Sequence, residues 1–89
     1  MIKRELKIIN KLGLHARAAV KLVEVASQFD SHINLSRNGR EVNGKSIMGV
    51  MMLAASQGAS IEVTVDGADE TAAMNRIEEL VGSRFGEEE

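Results

Sequence analysis

Ile33-Asn34-Leu35-Ser36-Arg37-Asn38-Gly39-Arg40-Glu41-Val42-Asn43-Gly44-Lys45-Ser46 decides between two folds. From Gly39 to Ser46 the stretch satisfies G-x-x-x-x-G-K-[ST], the phosphate-cradling loop of nucleotide-binding proteins, and the required strand and helix are predicted on either side. The flanking pattern contradicts that reading. Ile33 and Leu35 alternate with Asn34 and Ser36, which makes one apolar and one polar face. The central strands of a parallel P-loop sheet are instead continuous apolar runs. Asn38-Gly39 is the residue pair that a two-residue hairpin turn demands. Residues Arg40 to Asn43 are therefore committed to a short, polar returning strand of the kind found at a sheet edge. A chain of 89 residues is also too short for several βαβ units of about 30 residues each. The stretch reads as a hairpin followed by a helix that starts near Ser46.

Working outward, Ile2, Arg4, Leu6 and Ile8 alternate with Lys3, Glu5 and Lys7, which predicts a half-buried first strand. Asn10 to Leu14 form a loop. From Ala16 the apolar spacing becomes three and four, through Ala19, Leu22, Val23, Ala26 and Phe29, which predicts an amphipathic helix ended by Asp30-Ser31. The second helix runs from Ser46 to about Ala55 and is closed by Gln57-Gly58. Ile61, Val63 and Val65 alternate with polar residues in a fourth strand. Gly67 turns the chain, Asp69 is the expected N-cap, and Ala73, Ile77, Leu80, Val81 and Phe85 line a last helix. Glu87 to Glu89 are expected to fray.

Every strand has one apolar face, so the sheet is covered on one side and is antiparallel. The order β-α-β-β-α-β-α with a right-handed crossover between strands one and two predicts an α+β fold. It is an open-faced β-sandwich with sheet order 1-4-2-3 and three helices on one face. Residues 1–89 are expected to make a single domain, with 86–89 as its loose acidic end.

Composition narrows the functional classes. There is no cysteine, hence no disulfide and no thiolate metal site, and no metal or other cofactor is expected. No apolar run approaches the ~20 residues of a membrane span, and the mixed charges of the first nine residues do not suit a signal peptide. A cytoplasmic setting is expected. The net charge of −2 hides an asymmetry. Nine Lys or Arg stand against four Asp or Glu through Lys45, a balance of +5, and two against nine from Ser46 onward, a balance of −7. The basic half favours an acidic or phosphorylated partner. Nucleic acid fits poorly, because Phe29 and Phe85 are the only aromatics.

The basic half contains Gly13-Leu14-His15-Ala16-Arg17-Ala18-Ala19. This puts a histidine between a glycine turn and the first turn of a helix. Backbone N–H groups there lack intrahelical partners, and the helix dipole is positive, so an anion is stabilised. The same dipole favours a neutral imidazole, whose free lone pair is a nucleophile. Arg17 adds a planar, permanently charged fork for phosphate oxygens. Together they point to a histidine that is itself phosphorylated. The other histidine, His32, reads as an ordinary surface residue.

Residues Gly13 to Ala19 resemble the active-site signature of the HPr phosphocarrier family of the bacterial phosphotransferase system. One departure is Ala18, where many members have proline. Alanine retains high helix propensity, so the site should stay competent. The segment Lys45-Ser46-Ile47-Met48-Gly49-Val50-Met51-Met52-Leu53-Ala54 resembles the family's regulatory serine segment. The resemblance implies that phospho-enzyme I donates to Nδ1 of His15 and that a histidine of an enzyme IIA accepts. Arg17 and the N–H groups of Ala16 and Arg17 would hold the phosphoryl group. It further implies a phosphocarrier rather than an independent catalyst, phosphorylation of Ser46 where a dedicated HPr kinase/phosphorylase exists, and a monomer. Ile47, Met48 and Met51 exceed what one buried helix face needs, and flexible methionines suit a surface that fits several partners. They are the expected docking residues. Alternatives are a nitrogen-related paralogue with a regulatory role, and an interaction module controlled by Ser46 alone.

Overall fold

Alternating apolar side chains build the sheet. The computed structural model describes residues 1–89, with β1 at Ile2–Lys7, α1 at Ala16–Ala26, β2 at His32–Arg37, β3 at Arg40–Asn43, α2 at Ile47–Met52, β4 at Ser60–Asp66 and α3 at Glu70–Gly82. The strand order is β1-β4-β2-β3 and every neighbouring pair is antiparallel. Ile61, Val63 and Val65 of β4, with Ile33 and Leu35 of β2, are buried beneath the helices, while His32, Asn34, Glu62 and Asp66 face solvent. Leu22, Val25 and Ala26 of α1 and Ala73, Met74, Ile77 and Val81 of α3 close the core. Each fully buried Val, Leu or Ile contributes about 1.5–3 kcal/mol relative to exposure. Arg4, the odd member of the β1 pattern, pairs with Val63 in register and donates to Glu78 of α3 at 2.7 Å.

The hairpin behaves as its residues demand. Asn38 (φ 51°) and Gly39 (φ 80°) both adopt left-handed conformations, as a type I′ turn requires. Gly44 N–H donates to Ile33 O at 2.7 Å, and Lys45 Nζ donates to Phe29 O at 2.6 Å. The residues of the P-loop look-alike are thus spent on a hairpin, and its lysine binds a carbonyl.

Three local readings are corrected and one is refined. The first helix ends at Ala26. The N–H groups of Gln28 and Phe29 then bond Val25 O and Ala26 O in a tightened turn, and Phe29 packs half-buried from that turn. The second helix has six residues and does not reach Ala55, because Ala54 turns left-handed at φ 51°. Asp69 is the N-cap residue of α3, as expected, and its carbonyl accepts from Ala73 N–H at 3.0 Å, but its side chain makes no capping bond. Its carboxylate instead accepts from Asp30 N–H at 2.8 Å, from Ser31 N–H at 3.0 Å and from the Ser31 hydroxyl. The hydrogen bond from Ser31, then that from the Asp30 backbone, hold this carboxyl below its usual range. Phe85 is not on α3, which stops at Gly82. It is fully buried from a following tight turn with Arg84 (φ 58°) and Phe85 (φ 55°) left-handed.

Candidate functional site

The loop before α1 is held from three sides. Gly13 (φ 67°) donates to Asn10 O at 3.1 Å, and Leu14 N–H donates to Ala55 O at 2.8 Å. A Cβ on Gly13 would lie 2.5 Å from Ala55 O, so only glycine fits. Asn10 is buried, and its Nδ2 donates both to Gly13 O at 2.8 Å and to Glu87 Oε1 at 3.0 Å.

His15 is the N-cap residue of α1, with extended backbone (φ −72°, ψ 175°), and its carbonyl accepts from Ala19 N–H at 2.9 Å. Its side chain makes no capping bond, which leaves the ring free for other partners. The N–H groups of Ala16 and Arg17 have no intramolecular acceptor. Arg17 is exposed and unpaired, on the wall of the same open cleft as His15. The structure therefore brings His15, Ala16 and Arg17 together as their spacing requires.

The acidic end adds contacts that the sequence reading did not foresee. Glu87 to Glu89 line this cleft. Glu87 Oε2 contacts His15 Nε2, Lys11 N–H donates to Glu89 O at 2.6 Å, and Lys11 Nζ pairs with the Glu89 carboxylate at 3.3 Å. Buried Phe85 anchors the segment, and its carbonyl accepts from Lys21 Nζ at 2.6 Å. Burial pushes the Glu87 carboxyl up, but hydrogen bonds from His15 and Asn10 and the nearby charges of His15 and Lys21 outweigh it, so the group is held below its usual range. Glu87 and Asn10 are the functional candidates that motif reading missed. The available signal was an aromatic and a glycine immediately before the glutamates, an anchor and a turn.

Ser46 is the N-cap of α2, and its Oγ accepts from Gly49 N–H at 3.1 Å. Beside it Ile47 (42% exposed), Met48 (72%) and Met51 (42%) project outward, and Met52, which the sequence reading left out, is exposed as well. Helices α1 and α2 pack on each other. Ser46 makes no hydrogen bond to the His15 ring and does not line the cleft that holds it.

A family model described as "PTS HPr component phosphorylation site" matches residues 2–83. The chain belongs to the HPr family. A phosphocarrier protein HPr from Xylella fastidiosa (strain Temecula1) is 58% identical over 88 residues, 99% of each chain. One from Cupriavidus necator is 54% identical over 89 residues and the full length of both. The crystal structure of HPr-C-His from Thermoanaerobacter tengcongensis superposes with a TM-score of 0.96 at 43% identity, covering 100% of both chains. These names agree with the reading of a phosphocarrier instead of an independent catalyst, and the family fold agrees with the sheet order read above. The monomer expectation meets a counter-example in the family, since another Thermoanaerobacter tengcongensis HPr structure is a dimer (TM-score 0.79, 42% identity, 98% of this chain and 100% of that one). No helix of the protein is long and apolar enough to cross a membrane.

Proposed function

We propose that the chain carries a phosphoryl group on Nδ1 of His15, taken from phospho-enzyme I and passed to a histidine of an enzyme IIA in the cytoplasm. The observation that carries this reading is the His15 ring at the start of α1, with Nε2 engaged by Glu87 and no partner at Nδ1. Transfer between two imidazoles is an in-line displacement that needs positioning and charge stabilisation more than covalent help. The free N–H groups of Ala16 and Arg17 and the exposed Arg17 guanidinium supply both. The phosphoryl group is to be held only moderately, because tighter ground-state binding slows onward transfer.

Ser46 is the proposed regulatory site. A phosphate there would be favoured by the helix dipole and by the N–H groups of the first turn, one of which, that of Gly49, now donates to the Ser46 hydroxyl, and it would stand beside Ile47, Met48 and Met51, the proposed docking surface. Incubation with enzyme I and phosphoenolpyruvate should add one acid-labile phosphoryl unit to the intact mass. Undiminished labelling of a His15→Ala protein refutes the assignment. An acid-stable adduct at Ser46 alone would instead favour a purely regulatory interaction module.

A further inference from the structure

The short acidic segment after Phe85 is not an inert end. Its carboxylate Oε2 of Glu87 faces His15 Nε2, while its Oε1 accepts from Asn10 Nδ2 at 3.0 Å. The same Asn10 nitrogen holds Gly13 O at 2.8 Å, so one buried amide ties the carboxylate to the loop that delivers the histidine. Committing Nδ2 to two acceptors leaves Asn10 Oδ1 buried without a partner. An orphaned buried polar atom of this kind is uncommon away from sites with a functional constraint. The Glu87 side chain is only 18% exposed, and Lys21 and Lys11 hold the backbone of its segment on both sides.

We propose that Glu87 is a positioning residue for His15, fixing the tautomer with the proton on Nε2 so that Nδ1 carries the reactive lone pair. The inference rests on the carrier function proposed above. An ionised carboxylate can only accept hydrogen bonds, so the facing ring nitrogen must be the one bearing hydrogen. A carboxylate or carbonyl on one imidazole nitrogen commonly sets the tautomer and orientation of the other.

The chemistry balances on this arrangement. The Nδ1 lone pair of neutral His15 forms the new N–P bond as the donor's P–N bond breaks, and the donor nitrogen keeps that electron pair. The His15 ring, still protonated at Nε2, gains one positive charge. Glu87 faces that charge directly and stabilises it, as the carboxylate beneath a catalytic histidine does in hydrolases, without taking the proton. When the phosphoryl group leaves, the electron pair of the N–P bond returns to Nδ1 and the ring is neutral again. The same acidic cluster repels the phosphate oxygens, which keeps the phosphoryl group transferable.

The test uses the full chain labelled with 15N, in wild-type form and as Glu87→Gln and Glu87→Ala. The ring-nitrogen shifts of His15 report the tautomer, and quenched-flow transfer from phospho-enzyme I reports the rate. In the wild type the neutral ring should show hydrogen at Nε2 alone. In both variants the fraction with hydrogen at Nδ1 should rise, and transfer should slow by about tenfold or more, the usual effect of losing such a partner. Glu87→Gln changes only the polar tip and leaves Phe85 in place, so its melting temperature should stay close to wild type. Unchanged ring shifts overturn the inference, as does unchanged transfer with altered shifts. A wild type that accepts no phosphoryl group at His15 overturns the carrier function, and is recognised because the ring-nitrogen comparison is read without any partner protein.

Discussion

Substitutions at Ser46 should separate stability from docking, because the two respond to different atoms. Ser46→Ala removes the Oγ that accepts from Gly49 N–H at 3.1 Å. Loss of an N-cap oxygen costs about 1 kcal/mol, and in a domain of this size that lowers the melting temperature by about 4–8 °C. Ser46→Asp retains a capping oxygen and adds a charge at a helix start, where it contributes about 0.3–1 kcal/mol, so melting should be unchanged or slightly higher. Function should follow the opposite order. The Asp charge stands beside Ile47, Met48 and Met51, all at least 42% exposed. One partner carboxylate about 8 Å away, at an effective dielectric constant near 40, is opposed by about 1 kcal/mol, about fivefold in affinity. Two such charges and the desolvation of the new carboxylate make the loss about tenfold to a hundredfold. The assay is phosphoryl transfer from phospho-enzyme I across carrier concentration, beside thermal melting. Ser46→Ala should melt early and transfer normally, whereas Ser46→Asp should melt normally and transfer poorly at low concentration, with partial relief by salt. Equal transfer by Ser46→Asp and wild type at low concentration refutes the docking role of α2. A lowered melting point for Ser46→Asp refutes the capping argument.

Three further outcomes are expected. Gly13→Ala should destabilise the protein by about 2 kcal/mol or more and slow transfer. The left-handed φ alone costs about 1–2 kcal/mol for alanine, and the new Cβ would meet Ala55 O at 2.5 Å; an unshifted thermal melt would refute this. Arg17→Lys keeps the charge but loses the planar fork, so transfer should slow with an unchanged fold, and wild-type rates in quenched flow would show that guanidinium geometry is irrelevant. Asp69 is held below its ordinary value of 3.8 by hydrogen bonds from Ser31 and Asp30, so its stabilisation is present above that pH and is lost as pH falls through the depressed folded value. Denaturant titrations should show stability falling below about pH 4, less steeply in Asp69→Asn than in wild type; parallel slopes would count against the linkage.

Within single elements, the amino-acid order decided which side chains face the core, though not where α1 and α2 end. Period-two alternation in β1, β2 and β4 decides which side chains face the helices, because successive strand residues must point to opposite faces. Asn38-Gly39 alone dictates the hairpin, since few other pairs accept two left-handed residues. The candidate site at His15–Arg17 is legible for the same reason: one helix start supplies the ring, the free N–H groups and the guanidinium within three consecutive residues. Tertiary packing decided whatever depends on partners far away in the chain. Asp69 takes the N-cap position that its sequence suggests, but Ser31, 38 residues earlier, draws its carboxylate away from capping. Phe85 looks like the last residue of a helical stripe, but its pocket is reached only by leaving the helix through two left-handed residues. Glu87 meets His15 across 72 residues of sequence. Local rules extend one strand face or one helix turn, and a solvated run of glutamates satisfies them all. Only the burial of Phe85 against the completed core swings that run back onto the site.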